Sequence, residues 1–79
     1  MLPNRENILR VLARLERAGA LPEDGPTSVF ISGRAGLVRT HATQVAVSVH
    51  GDLVYARISR LPFVRPMVFT RQALREAQP

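Results

Sequence analysis

The feature of this sequence that most constrains its fold is a regular alternation on both sides of Gly51-Asp52. Valine occupies every second position from residue 45 to 49, and apolar residues alternate again over residues 54–58. Such alternation places one set of side chains on each face of a strand. Gly at the first central position of a two-residue loop favours a type II′ turn. The pattern therefore predicts an antiparallel β-hairpin within Thr43 to Ser59.

A two-residue turn also fixes the predicted register, with His50 opposite Leu53. One face then carries the apolar pairs Val49 with Val54, Val47 with Ala56 and Val45 with Ile58. The other face carries Ser48 with Tyr55, Ala46 with Arg57 and Gln44 with Ser59. A slip of one residue would separate the apolar pairs, so the pattern specifies the register well.

Residues 4–18 have the pattern of an amphipathic helix. Asn4 is a favourable N-cap, and Gly19 suits the left-handed position that ends many helices. An apolar stripe follows helical spacing and would pack on the valine face of the hairpin. The residues of this stripe are Ile8, Val11, Leu12, Leu15 and Ala18.

The remaining segments complete the predicted fold. Thr27–Ser32 is predicted to be a short strand, and residues 33–36 a tight connection. Pro62 and Pro66 exclude residues 61–69 from a central strand, so this segment is either an edge strand or an extended arm with a short strand at 67–69. Thr70 then caps a helix from Arg71 to about Gln78 whose Leu74 faces inward. We expect a single domain over residues 1–79, with an α+β fold in which the N-terminal helix packs on an antiparallel sheet of three to four strands.

Composition excludes several classes of protein. The chain has 79 residues and no cysteine, so it forms no disulfide and has no thiolate metal site. No apolar run approaches the ~18 residues that a membrane span needs. Residues 1–6 contain no apolar core of a secretory signal, which favours a cytoplasmic location. We expect all three phenylalanines to be required by the small core.

The charge distribution indicates the kind of partner. All eleven basic residues are arginine, and the formal net charge is +5. Charges cancel over residues 1–25, so the whole excess lies in residues 26–79. A positive field of this kind attracts polyanions or acidic protein surfaces.

The candidate binding residues form three groups. The first would contact nucleic acid or an acidic partner and consists of Arg34, Arg39, Arg57, Arg60, Arg65 and Tyr55. A secondary basic stripe on the first helix consists of Arg10, Arg14 and Arg17. Phe63, Val64 and Met67 would either close the bottom of the core or form an apolar contact for a partner protein.

Catalytic and metal-binding signals are weak. His41 and His50 are the only histidines, and no set of three or four ligands at zinc spacing accompanies them. The glycine-flanked segment 33–36 lacks the spacing of a P-loop. We therefore expect a protein that is not an enzyme and that uses no metal or cofactor.

These observations leave two functional interpretations open. The first is a binding protein whose arginine-rich surface contacts DNA, RNA or a nucleoprotein complex. The alternative is a protein-interaction module, such as a small bacterial or phage-encoded inhibitor or adaptor, that docks on an acidic surface of a larger protein. A homodimer through the edge formed by residues 61–69 is compatible with both, because dimerisation stabilises small domains.

Overall fold

The computed structural model describes the backbone of residues 2–35 and 38–77, and the side chains of these residues outside positions 33–40. In chain order the elements are α1 (Arg5–Arg17), β1 (Gly25–Ala35), β2 (Val38–His50), β3 (Leu53–Ile58), β4 (Met67–Thr70) and α2 (Arg71–Glu76). The strands form one antiparallel sheet in the order β1-β2-β3-β4. The predicted α+β fold is thus confirmed, with four strands. Neither helix in the described ranges is long and apolar enough to cross a bilayer.

Both ends of α1 are determined by local hydrogen bonds. The Asn7 N–H donates to the Asn4 side chain at 2.8 Å, and the Asn4 N–H donates to the Asn7 side chain at 3.1 Å, so a capping box closes the N-terminus. At the other end Gly19 has φ +69°, as predicted for this position. The Ala20 N–H donates to the Leu15 carbonyl at 2.8 Å, which completes a Schellman motif.

The β2–β3 hairpin has the register predicted from its alternation. Val49 pairs with Val54, Val47 with Ala56 and Val45 with Ile58. Gly51 has φ +61°, and no non-glycine residue of the described chain has positive φ. These signs at positions 51 and 52 agree with a type II′ turn and exclude a type I′ turn.

The strand predicted at Thr27–Ser32 is longer in the structure. β1 has eleven residues, and β2 begins at Val38 and has thirteen. The prediction of a tight connection was wrong for residues 33–35, which continue β1, because pairing with the early part of β2 extends both strands. The pairing of β1 with β2 shifts register between Ser32 and Arg34, on either side of Gly33. Gly36 lies outside the described residues.

The C-terminal part agrees with the sequence pattern. β4 pairs with β3 at one edge of the sheet. The Ala73 N–H donates to the Thr70 hydroxyl at 3.0 Å, so Thr70 caps α2 as predicted. The helix ends at Glu76, and the predicted end at Gln78 lies outside the described part of the chain.

The core lies between the two helices and the valine face of the sheet. The helices contribute the fully buried side chains of Ile8, Leu12 and Leu74. The largest side chains of the sheet that are also fully buried are those of Val45, Val49 and Val54. Burying one such side chain contributes about 1.5–3 kcal/mol. The prediction that Ala18 belongs to the apolar stripe was wrong, because it is exposed beyond the last turn of α1.

Of the three phenylalanines, only Phe69 lies in the core. Phe30 and Phe63 are exposed. Assigning all three to the core was therefore wrong, since valine, isoleucine and leucine fill the space between the layers. Two large aromatic side chains are left on the surface.

Charged side chains hold α2 against α1. The Glu16 carboxylate lies 3.5 Å from Nε of both Arg71 and Arg75, and its side chain is only 13% exposed. Arg71 also donates from its guanidinium to the Pro22 carbonyl and from its backbone N–H to the Asp52 carbonyl. The start of α2 is thereby fixed to α1, to the loop before β1 and to the hairpin turn.

Candidate nucleic-acid interface

The sheet face opposite the helices carries the candidate site, and we call it the open face. The register places its side chains in rows that cross the strands. One row contains Pro26, Ser48, Tyr55 and Val68; the next contains Ser28, Ala46 and Arg57; a third contains Phe30 and Gln44, with Ser59 beside them. These residues alternate with the core residues of the same strands, so they follow directly from the two-residue period.

The electrostatic character of the open face follows from where the acidic residues lie. The six carboxylates belong to α1, the loop before β1, the β2–β3 turn and α2. The four strands contain no Asp or Glu and have arginine at positions 34, 39 and 57. An anion on this face therefore meets only positive or neutral strand side chains.

Arg57 lies near the middle of the open face. It lines a shallow groove of about 350 Å³ together with Tyr55, Ser48 and the prolines Pro26 and Pro66. Its Nε is buried, and no described residue supplies a hydrogen-bond partner to it. A buried donor without a partner costs about 1–3 kcal/mol. A ligand oxygen that entered the groove and accepted from Nε would recover this free energy.

Phe30 is a candidate site residue that sequence reasoning missed. Its side chain is 69% exposed and borders a second hollow of about 270 Å³, with Gln44, Ser59 and Arg60. The signal was present in the sequence, because Val29 and Ile31 face the core and alternation puts Phe30 on the opposite face. An aromatic ring and a guanidinium thus lie at the same hollow.

The Tyr55 ring packs against a histidine on the same face. The His50 ring meets the Tyr55 ring edge-on, with centroids 5.7 Å apart and an interplanar angle of 69°. His50 Nε2 in turn lies 2.7 Å from the Ser48 hydroxyl oxygen. His50, which the sequence indicated only as a turn residue, therefore positions the single tyrosine.

The other predicted arginines of the first group lie around this centre. Arg34 and Arg39 are paired opposite each other on β1 and β2, and their side chains are outside the described set. Arg65 is exposed in the β3–β4 loop, immediately before Pro66 at the groove. The structure thus brings Arg57 together with Tyr55, and Arg60 together with Phe30.

The secondary basic stripe is separate from the open face. Arg10 forms an ion pair with Glu6 at 3.4 Å, and Arg17 donates to the Ala77 carbonyl at 2.7 Å. Arg14 is exposed. Because α1 packs on the valine face, these three arginines cannot contribute to a surface on the opposite side of the sheet.

The predicted apolar contact is divided by the structure. Phe63 is 99% exposed and Val64 is also exposed, whereas Met67 packs against the core. Met67 therefore serves the fold, and of these three residues only Phe63 and Val64, in the β3–β4 loop, are available to a partner. In the described ranges no three His, Asp or Glu residues are grouped as metal ligands.

Comparison of the chain with protein-family models, with curated proteins and with solved structures gives no match. The open face is therefore interpreted from its own residues.

Proposed function

We propose that this protein binds single-stranded nucleic acid on the open face and catalyses no reaction. The observation that carries the proposal is the exposed Phe30 ring on a face that also bears Arg57 and Tyr55 and whose strands contain no acidic residue. Aromatic side chains on a sheet stack with unpaired bases, and arginine contacts phosphates and base edges.

The arrangement of the rings favours a single strand over a duplex. In a duplex the bases already stack on each other, so exposed rings gain little there. Phe30 and Tyr55 lie two strands apart and about four residues apart along the strands, which corresponds to ~16 Å. The two rings would therefore stack with bases that are not neighbours in the sequence, with Arg57 between them at the groove.

The arginines would divide into two roles. Arg57 and Arg60, beside the grooves, would contact phosphates close to the stacked bases. Arg34, Arg39 and Arg65 would extend the positive surface along the strand and raise the rate of encounter.

The test is fluorescence anisotropy with labelled single-stranded DNA and RNA of mixed sequence. Phe30→Ala should weaken binding by about 5- to 150-fold, the equivalent of one stacked base. Arg57→Gln should also weaken binding. Arg75→Gln, which removes the same charge from α2, should have little effect. No binding by the native chain at ~50 mM salt would refute the proposal, as would equal losses for Arg57→Gln and Arg75→Gln.

The β3–β4 loop supports a second candidate function, docking on an acidic protein surface. Phe63 is almost completely exposed beside Val64, and Arg65 follows them. An exposed apolar pair next to a cation suits a protein interface. Phe63→Asp should abolish capture of such a partner while leaving oligonucleotide binding intact. Unchanged capture would count against this function.

A further inference from the structure

The outer edge of β1 has backbone groups that the sheet does not use. The Ser59 N–H donates to the Gln44 carbonyl at 3.0 Å, so the backbone groups of Gln44 face β3. In an antiparallel ladder this direction alternates along the strand, so the backbone N–H and C=O groups of Val45, Val47 and Val49 point towards β1. Their partners in β1 are Val29, Thr27 and Gly25. The intervening residues Ser28, Phe30 and Ser32 therefore direct their N–H and C=O groups away from the sheet.

The two edges of the sheet differ in how they are protected. β4 has only four residues, and the Arg5 guanidinium donates to the Val68 carbonyl at 3.1 Å while lying 4.3 Å from the centre of the Phe69 ring. β1 has eleven residues, and positions 25–33 contain no charged residue. Long, uncharged edges are the ones that pair with another strand.

We propose that a second copy of this chain pairs with β1 in antiparallel orientation, about a twofold axis at Phe30. Phe30 would lie opposite Phe30 of the second copy, and Ser28 opposite Ser32 of the second copy. Ser28, Phe30 and Ser32 each have an N–H donor. Pairing with the second copy therefore satisfies the outward N–H and C=O groups of these three residues on both chains. The result is a continuous eight-stranded sheet with both open faces on the same side.

Charge and register both favour a second copy in this arrangement. Two copies carry the same net charge, but the neutral segment 25–33 keeps that repulsion away from the contact. A twofold axis at Val29 would set Pro26 opposite Ser32 of the second copy and leave that serine carbonyl without a donor. The axis at Phe30 instead sets Pro26 opposite Arg34 of the second copy, at the two ends of the pairing, so the three central pairs keep all their donors. It also brings together two exposed rings as a cross-strand aromatic pair.

Dimerisation through β1 does not require nucleic acid, although it shares Phe30 with the proposed binding face, and it is tested without a ligand by sedimentation equilibrium over a range of protein concentrations. Ser28→Pro removes an outward N–H that the monomer does not use, and Ser28→Ala keeps it. We expect the native chain and Ser28→Ala to dimerise and Ser28→Pro to be monomeric. A native chain that is monomeric throughout, or a Ser28→Pro variant that dimerises equally well, overturns the proposal.

Cross-linking tests the register and does not depend on the folding of the proline variant. The chain lacks cysteine, so Phe30→Cys introduces a single thiol. Across the proposed axis two such residues have Cα atoms ~5.5 Å apart, which a disulfide can bridge. In Ser32→Cys the two thiols belong to positions ~13 Å apart. With oxidised glutathione we expect covalent dimers from Phe30→Cys only; dimers from Ser32→Cys alone would refute this register.

Discussion

At the residue scale, the arginines of this protein differ in whether their guanidinium groups already have partners within the fold. Arg5 and Arg17 donate to backbone carbonyls, and Arg71 has a carboxylate and a carbonyl as partners. These three stabilise the structure. Nε of Arg71 and Nε of Arg57 are both buried without a hydrogen bond, but Arg71 faces the Glu16 carboxylate, whereas the described part of the chain offers Arg57 neither an acceptor nor an ion-pair partner. Its environment, and not its charge alone, makes Arg57 the arginine that we propose to bind a ligand.

This distinction predicts that Arg57→Lys weakens oligonucleotide binding although the charge is retained. Lysine has no donor at the position of Nε and does not form the planar fork of arginine. We expect a loss of about tenfold, the equivalent of ~1.4 kcal/mol. Anisotropy titration at fixed salt measures it, with Arg75→Lys as the matched control. Equal affinity of the native and Arg57→Lys proteins would show that only the charge matters.

At the element scale, the two faces of β2 have different tasks. Val47 is buried between the sheet and the helices, and the adjacent Ser48 belongs to the open face. The same substitution at these two neighbouring positions therefore separates the fold from the site.

We predict that Val47→Asp unfolds the domain, because it buries a charge without a partner. Ser48→Asp should remain folded but should bind oligonucleotides more weakly, since it adds a negative charge beside Arg57. Circular dichroism and anisotropy measure the two effects. A folded Val47→Asp protein would contradict the observed register.

The contact between the helices gives a second prediction at this scale. Glu16→Gln removes the negative charge between Arg71 and Arg75 and should lower the free energy of unfolding by about 1–3 kcal/mol. Glu6→Gln makes the same change on α1 at an exposed ion pair, for which at most about 1 kcal/mol is expected. Urea denaturation compares the two variants. Similar losses would indicate that the contact with α2 does not stabilise the fold.

How far the sequence predicts each element depends on whether its signal is local. Alternation and the Gly51 turn specify the hairpin, and the caps at Asn4, Gly19 and Thr70 specify the helices. The length of β1 depends on pairing with residues 38–42, which no local pattern reveals. Phe30 was misplaced because its hydrophobicity was given more weight than its position in the alternation.

The least predictable part of the site is the environment of Arg57. Its position on the face opposite the valines followed from the hairpin register. The unpartnered state of its Nε depends on neighbours from β1, from β2 and from the segment before β4. Only the folded structure brings these together.

At the scale of the whole molecule, the fold keeps negative charge away from the sheet. The helices, the loop before β1 and the hairpin turn carry six acidic residues and six arginines, which cancel, whereas the strands and the β3–β4 loop carry five arginines and no acidic residue. A polyanion would therefore approach in one orientation, with the sheet towards it and the helices away.

This arrangement predicts the salt dependence of binding. The logarithm of the association constant for a single strand should fall linearly with the logarithm of salt concentration, with a slope of about −0.7 per neutralised phosphate. Arg57→Gln should reduce the slope by the equivalent of about one contact. Arg75→Gln should leave it unchanged. Anisotropy titrations across a salt series measure these slopes, and a salt-independent affinity would exclude phosphate contacts.

The buried position of Leu74 also bears on how the chain is made. This side chain, from the last helix, closes the core against residues of the first helix and the central strands. While the chain is being synthesised, α1 can cover only part of the valine face, and the part under α2 stays uncovered until residue 74 has left the ribosome. The native core therefore forms only after almost the whole of this domain has been translated. If a ribosome stalls before α2, part of the apolar face remains accessible to chaperones and proteases.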